Sequence, residues 1–265
     1  MISSNKITEI SKSESVGWAV VEKDYFLTLM LESVASTPAL HDNLVFKGGT
    51  ALRKVYFSDY RYSEDLDFTL KREFESGEIR GLFGSALDYL AREHNADMRI
   101  RDFNSKKYFT DIKVQFVGLK GNKNTIAIDM SPSELIVDAQ VELPVLNNYY
   151  QKSFDIGVYT LEEIVAEKLR SLMQRTRARD YYDVWYLLTQ GKRKLDKKKI
   201  GRIFVKKVEY KKIDFTGREQ LLGQEKLTQA EAYYQAQIGS QIKHLPPFGK
   251  IAEELKDAIA QLDLD

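Results

Sequence analysis

The sequence predicts an α/β (α+β) amino-terminal part followed by a mainly helical carboxy-terminal part. Three observations predict it. Short alternating or apolar runs with strand character punctuate the first half, at "LVFK", "DLDFTL" and "NTIAIDM". Between them lie stretches with apolar residues at helical spacing. Beyond Tyr159 the strand signals stop and helical periodicity takes over.

The first predicted helix is "VEKDYFLTLMLESVA", whose Phe26, Leu27, Met30, Leu31 and Val34 recur at helical spacing. "LVFK" reads as a short strand, "GGTALRKVYF" as a turn entering a helix, and "DLDFTL" as an alternating strand. "IRGLFGSALDYLAREHN" is a helix. Three strands follow, "DMRIRDF", "DIKVQFVGL" and "NTIAIDM", the last two joined by the hairpin-like "KGNKN". "YTLEEIVAEKLRSLMQR" opens with Thr160 and carries Glu163 three positions on, a capping-box signature. "RDYYDVWYLLTQG" is a further helix that stops at Gly191. The remainder is charged and helical in composition, broken at "HLPPFG". The boundary falls near residues 150–158, giving parts 1–155 and 156–265.

Composition narrows the chemistry. The 265 residues are 43% apolar and 30% charged, ordinary for a globular protein. No apolar run approaches the ~20 residues of a membrane helix. The start, "MISSNKITEISKSES", has no apolar signal core, so a cytoplasmic protein is expected. The sequence has no cysteine, which excludes disulfides, zinc thiolates and thiol nucleophiles. His41, His94 and His244 have no metal-ligand spacing. The net charge of +1 argues against a uniformly basic coat, yet Lys192–Lys212 holds eleven Lys/Arg against Asp196 and Glu209. That run reads either as an RNA-phosphate contact or as a solvated helix face.

The stretch "LVFKGGTALRKVYFSDYRYSEDLDFTL" concentrates the candidate chemistry. Gly48 and Gly49, followed by Thr50, let backbone N–H groups approach an anion without Cβ obstruction. Taken alone, a tight strand-to-helix turn is the simpler reading, and the Gly-Lys-Ser/Thr of a Walker A loop is missing. Asp65 and Asp67 change the balance. Alternate strand residues share a face, so the two carboxylates lie side by side and repel, which a cation such as Mg²⁺ would relieve; the plainer reading is a solvated polar face on an amphipathic strand. Asp129, opposite in phase to Ile126 and Ile128, could complete a three-carboxylate site for one or two metal ions if its strand neighbours "DLDFTL". It could equally be a general base, or a strand-end acid facing water. Lys168 falls inside the apolar stripe Leu161, Ile164, Val165, Leu169, Leu172 and Met173, so it either snorkels or enters a cleft, where it would suit a triphosphate. Asp180 and Asp183 share a face of the next helix, with Arg177 and Arg179 at its start. An inter-helix ion-pair network explains Asp180 and Arg177 as readily as catalysis does, and Lys168 and Asp183 less readily.

Together "FKGGTALRKVYF", "RYSEDLDF" and "EEIVAEKLRSLMQRTRARDYYDVW" resemble the AbiEii/AbiGii group of nucleotidyltransferase-like toxins, which includes the MenT-type toxins. The resemblance runs from Val21 to Leu188. It implies a polymerase-β-like nucleotidyltransferase core with a mixed sheet and a helical carboxy-terminal domain. It also implies Mg²⁺-dependent transfer of a nucleotide from an NTP. Lys47, Gly48, Gly49 and Thr50 then match the nucleotide-binding turn, with Arg179 on the nucleotide. Ser63, counted with the nucleotide-binding residues, matches a serine that in some relatives is the target of inactivating phosphorylation. Asp65 and Asp67 match the metal-binding pair, Asp129 the third acid, and Lys168 and Asp183 the catalytic residues of the helical block. The implied partners are an RNA acceptor, in several relatives the tRNA 3′ end, and a cognate antitoxin. A protein hydroxyl as acceptor, or a non-catalytic nucleotide- or partner-binding module, are the alternative readings.

Overall fold

The computed structural model describes residues 1–132 and 134–264, which form two compact units. The first comprises Met1–Glu134 and Gln140–Val158, the second Leu135–Ala139 and Tyr159–Asp265.

The first unit contains α1 (Ser4–Glu14), α2 (Trp18–Ala35), α3 (Pro38–His41), β1 (Leu44–Lys47) and α4 (Gly48–Ala51), which runs into a π-helical turn at Leu52–Tyr56. Then come β2 (Asp65–Leu70), α5 (Ser76–His94), β3 (Met98–Lys106), β4 (Phe109–Val117), β5 (Lys123–Ser131), β6 (Val141–Pro144) and β7 (Asp155–Val158). The strands form one mixed sheet in the order β3-β4-β5-β2-β1-β7-β6. The pairs β2/β5 and β1/β7 are parallel and the others antiparallel.

Period-two alternation gives this sheet two unlike faces. Leu66, Phe68, Ile112, Val114, Phe116, Ile126, Ile128 and Met130 are buried on one of them. Helix α2 covers that face, with the Phe26 ring stacked on Phe116 at 4.0 Å between centroids. The residues between these carry the carboxylates. They face the other way.

Helix α2 is more deeply buried than its apolar stripe predicts, because three of its acids are buried as well. Each is matched by donors, as a buried charge must be. Glu22 accepts from the Leu119 amide at 2.6 Å. Asp24 pairs with Lys54 and accepts from the Tyr149 hydroxyl at 2.6 Å. Glu32 accepts from the hydroxyls of Tyr89 (2.7 Å) and Tyr150 (2.6 Å) and from Lys152 (2.7 Å), with His94 Nε2 at 3.0 Å.

The second unit is helical: α6 (Leu161–Gln174), α7 (Ala178–Trp185) continued by a π-helical turn at Tyr186–Gln190, α8 (Lys197–Tyr210), α9 (Glu219–Leu222), α10 (Gln224–Ile238) and α11 (Phe248–Ala260). Thr160 caps α6 by accepting from the Glu163 amide at 3.3 Å. The predicted capping box is only half made. The Glu163 carboxylate turns away, accepting from the amides of Val137 (3.2 Å) and Asp138 (2.8 Å) and pairing with Lys207 at 2.6 Å. Gly191 ends the α7 segment, but with φ −62° rather than in the left-handed conformation of a glycine stop. The wider π-helical turn closes it, with the Gly191 amide donating to the Tyr186 carbonyl five residues back. Among the described residues no helix is long and apolar enough to cross a membrane.

Candidate active site

The turn at Gly48 is built around Asp67. Gly48 has φ +79°, a conformation that L-residues other than glycine rarely adopt. A Cβ there would stand 2.2 Å from Asp67 Oδ2, so the site demands glycine on two grounds. Gly49 lies against Arg61 and Ser63, whose side-chain ends would be 2.9 and 3.3 Å from an added Cβ. Thr50 Oγ1 donates to the Asp65 carbonyl, which ties the turn to β2. Ser63 Oγ is 3.3 Å from Asp65 Oδ1.

Sheet register brings the acids together. Lys47 pairs with Asp67 across β1 and β2, Asp67 with Asp129 across β2 and β5, and Asp129 with Asp111 across β5 and β4. These four form one row on the polar face, on strands ~4.8 Å apart. Asp65 lies two residues along on the same face, opposite Ala127. Lys47 is buried, while Asp65, Asp67, Asp111 and Asp129 are each half-buried.

The row is held from behind. Leading out of the turn, Lys54 is buried against Asp24, and Arg53 reaches Glu14 at 2.9 Å while its guanidinium lies 3.5 Å above the centre of the Tyr62 ring. Tyr62 completes this group by donating to Glu14 at 2.8 Å. Burial pushes the Lys54 ammonium down, against the pull of Asp24; Arg53 is held above its usual value, Asp24 and Glu14 outweighing its burial.

In the helical unit, Lys168 does project from α6 into a polar cluster. Its Nζ is 3.1 Å from Asp180 Oδ1 and 2.6 Å from Asp183 Oδ2, both acids being buried. Arg175 Nε donates to Asp180 Oδ2 at 2.8 Å. Burial alone would raise the Asp180 carboxyl, but Lys168 and Arg175 hold it below the usual carboxylate range. The ion-pair network expected as one reading of these residues is therefore present. Arg177 stands at the N-cap of α7 and Arg179 is half-buried in its first turn.

Two polar residues of the first unit escape sequence reading. Arg61 is buried beside Gly49, yet its neighbours Tyr60 and Tyr62 give it the look of an ordinary loop residue. Asp111 opens β4, and only the sheet order places it next to Asp129. Its phase, alternating with Ile112, was the one available signal.

The donor set suits a hard divalent cation: oxygen ligands only, with cations and amides around them. Among the described residues no three acidic or histidine side chains converge into a ready-made cage.

Comparison with solved structures supports the same fold. MenT4, a nucleotidyltransferase toxin from Mycobacterium tuberculosis H37Rv, superposes with a TM-score of 0.65 at 18% identity, covering 99% of both chains. A protein from H. pylori assigned as a nucleotidyltransferase matches with a TM-score of 0.60 at 16% identity, over 94% of this chain and 96% of that one. No curated protein sequence matches. The family described as "Nucleotidyl transferase AbiEii toxin, Type IV TA system" matches residues 29–261, which include the glycine turn, the acidic row and the Lys168 cluster. The chain belongs to the AbiEii nucleotidyltransferase toxin family.

Proposed function

We propose that the protein transfers a nucleotide from an NTP to an RNA acceptor, with the tRNA 3′ end as the first candidate, in a Mg²⁺-dependent reaction. We propose further that this inhibits growth as the toxin of a toxin–antitoxin pair. The observation that carries the reading is the junction of the Gly48 turn with Asp67, in register with Asp129.

The Gly48–Thr50 turn offers amide N–H groups to phosphate oxygens, and Lys47 and Arg61 add positive charge beside it. Asp65 and Asp67 would hold Mg²⁺, which when bound neutralises charge on the triphosphate. Asp129 takes the proton of the acceptor hydroxyl. The hydroxyl oxygen bonds to the α-phosphorus, the bond from that phosphorus to its bridging oxygen breaks, and pyrophosphate leaves. Lys168 of the helical unit, set by Asp180 and Asp183, supplies a further cation for phosphate oxygens, with Arg179 on the nucleotide. Rate then comes from positioning and charge compensation.

The test is incubation of the full chain with Mg²⁺, each α-labelled NTP and total RNA. Labelled RNA and released pyrophosphate are expected, both lost in Asp65→Ala. Label on protein in place of RNA would redirect the reading to a protein hydroxyl. Absence of pyrophosphate with every NTP would overturn it. In cells, induced expression should arrest growth and co-expression of the cognate antitoxin should restore it.

A further inference from the structure

The helical unit carries a groove of 340 Å³ lined by Tyr182, Trp185, Tyr186 and Gln190 of the α7 segment and by His244, Leu245 and Pro246 ahead of α11. Three of these seven residues are aromatic. Tyr182 and Tyr186 are stacked, with centroids 6.2 Å apart and planes 25° apart, and Tyr182 and Trp185 meet at 5.5 Å. Trp185 Nε1 donates to Glu254 Oε2 at 2.6 Å, which fixes the indole in one orientation. Tyr182 and Trp185 are buried, Tyr186 is half-buried, and Gln190 and His244 are exposed.

We infer that this groove seats an unpaired nucleobase of an RNA strand. Four features favour that occupant. Tyr186, the half-buried ring of the three, is held in place by the buried Tyr182 and offers a π-face of the kind on which splayed-out bases stack. Gln190 and His244 offer hydrogen-bonding groups where a base edge would lie. The volume lies in the lower part of the ~300–1,000 Å³ range of small-ligand sites, enough for one base and its sugar. Finally, the chain beside the groove is cationic. Lys192, Arg193 and Lys194, all exposed, begin two residues after Gln190, and exposed Lys243 precedes His244. A free base needs no such charge, whereas the phosphodiesters on either side of an RNA base do. The groove also shares helix α7 with Asp183, whose neighbour in sequence is Tyr182. The inference deepens the reading that the acceptor is RNA and rests on it.

The decisive experiment uses the full chain carrying Trp18→Phe, so that Trp185 is the sole tryptophan. Its emission is titrated with an unstructured oligoribonucleotide of roughly 4–16 nucleotides, the size range of single-strand sites. NTP and Mg²⁺ are left out. Saturable quenching is expected, with an affinity that falls steeply as salt rises. Tyr186→Ala should weaken binding about tenfold, one stacked base being worth ~1–3 kcal/mol, while Tyr186→Phe should keep it. The inference is overturned if Trp185 does not respond while RNA binds by gel shift, or if Tyr186→Ala binds as tightly as the parent. It is overturned equally if NTP alone, or an acidic peptide, quenches as well as the oligonucleotide does. Because the titration needs no turnover, Asp65→Ala should bind RNA normally. Quenching without any nucleotide transfer would sink the enzymatic reading alone, and transfer to RNA without quenching would sink the groove alone.

Discussion

Asp67 and Asp129 stand in register on neighbouring parallel strands, side by side on one face of the sheet. Neither is brought there by local sequence, since sixty-one residues and two further strands separate them in the chain. Carboxylates so placed repel in the absence of positive charge. Lys47 in the same row and Arg61 beside the turn lessen that repulsion, and a bound cation would lessen it further.

Asp67→Asn should therefore reduce nucleotide transfer by about 10³-fold, the scale of losing one preorganised charge interaction in an active site. The far-UV circular dichroism should stay that of the parent. Mg²⁺ with a non-hydrolysable NTP should raise the melting temperature of the parent protein, since a ligand that binds only the folded state stabilises it. The same addition should leave the Asp67→Asn melting temperature where it was. A full thermal shift in the variant would show that Asp67 is not a ligand of the metal–nucleotide complex.

Gly48→Ala should be costly for a different reason. The left-handed backbone alone is worth ~1–3 kcal/mol to a non-glycine residue, and the new methyl group would press on Asp67. Chemical denaturation should show this loss together with impaired transfer. Gly49→Ala meets only the movable ends of Arg61 and Ser63, so its stability loss should be the smaller of the two. Equal losses at both positions would contradict the geometry.

Lys168→Met leaves Asp180 and Asp183 buried without their shared cation. Breaking a buried pair in this way costs roughly 3–5 kcal/mol, measurable by urea denaturation. Replacing both acids by Asn in the same chain should recover much of that stability, because no buried charge of the cluster then remains, and Arg175, which loses Asp180, is exposed to water. Activity should remain absent if Lys168 acts on phosphates. Recovery of activity along with stability would assign Lys168 to the framework only.

Glu32 gives a prediction in pH. Burial would raise its carboxyl, but donors from Lys152, Tyr150, His94 and Tyr89 outweigh burial and hold it at about 2, against an ordinary value of 4.5. A carboxylate with a lower pKa in the folded state adds stability above the unfolded value and loses it as pH falls toward the folded one. The contribution of Glu32 is thus whole above pH 4.5 and drains away toward about 2. Glu32→Gln should cost about 3 kcal/mol at neutral pH, with the gap to the parent narrowing over that acid range. A gap that stays constant down to pH 2 would refute the assignment.

Much of the first unit was legible. Strands β1 and β2 coincide with "LVFK", a short apolar run buried at every position, and "DLDFTL", whose alternation leaves few other registers. The glycine pair and the two aspartates could be read because adjacent residue types announce their chemistry locally. Strands β6 and β7 could not. "VELP" and "DIGV" are four residues each and contain Pro144 and Gly157, so pairing with β1 and with each other decides them, not propensity. Helix α1 hid in a polar start because only Ile7 and Ile10 of it are buried. Glu163 looked like a capping residue, and its use by Lys207 depends on α8, more than thirty residues away. In the same way Lys207, counted in a basic run, is a buried strut and not a surface charge.

The clamp of Arg53 and Lys54 onto Asp24, Glu14 and Tyr62 has a bearing on how a ligand is met. The bend that carries Gly48 is bolted to two helices through groups that lose their counter-charges if it swings away. If the proposed function holds, an arriving nucleotide would find its amide cradle already shaped, and little of its binding energy would be diverted to ordering a loop. Mutations that loosen those bolts, far from any phosphate, should show up first as weaker nucleotide capture and only afterwards as unfolding.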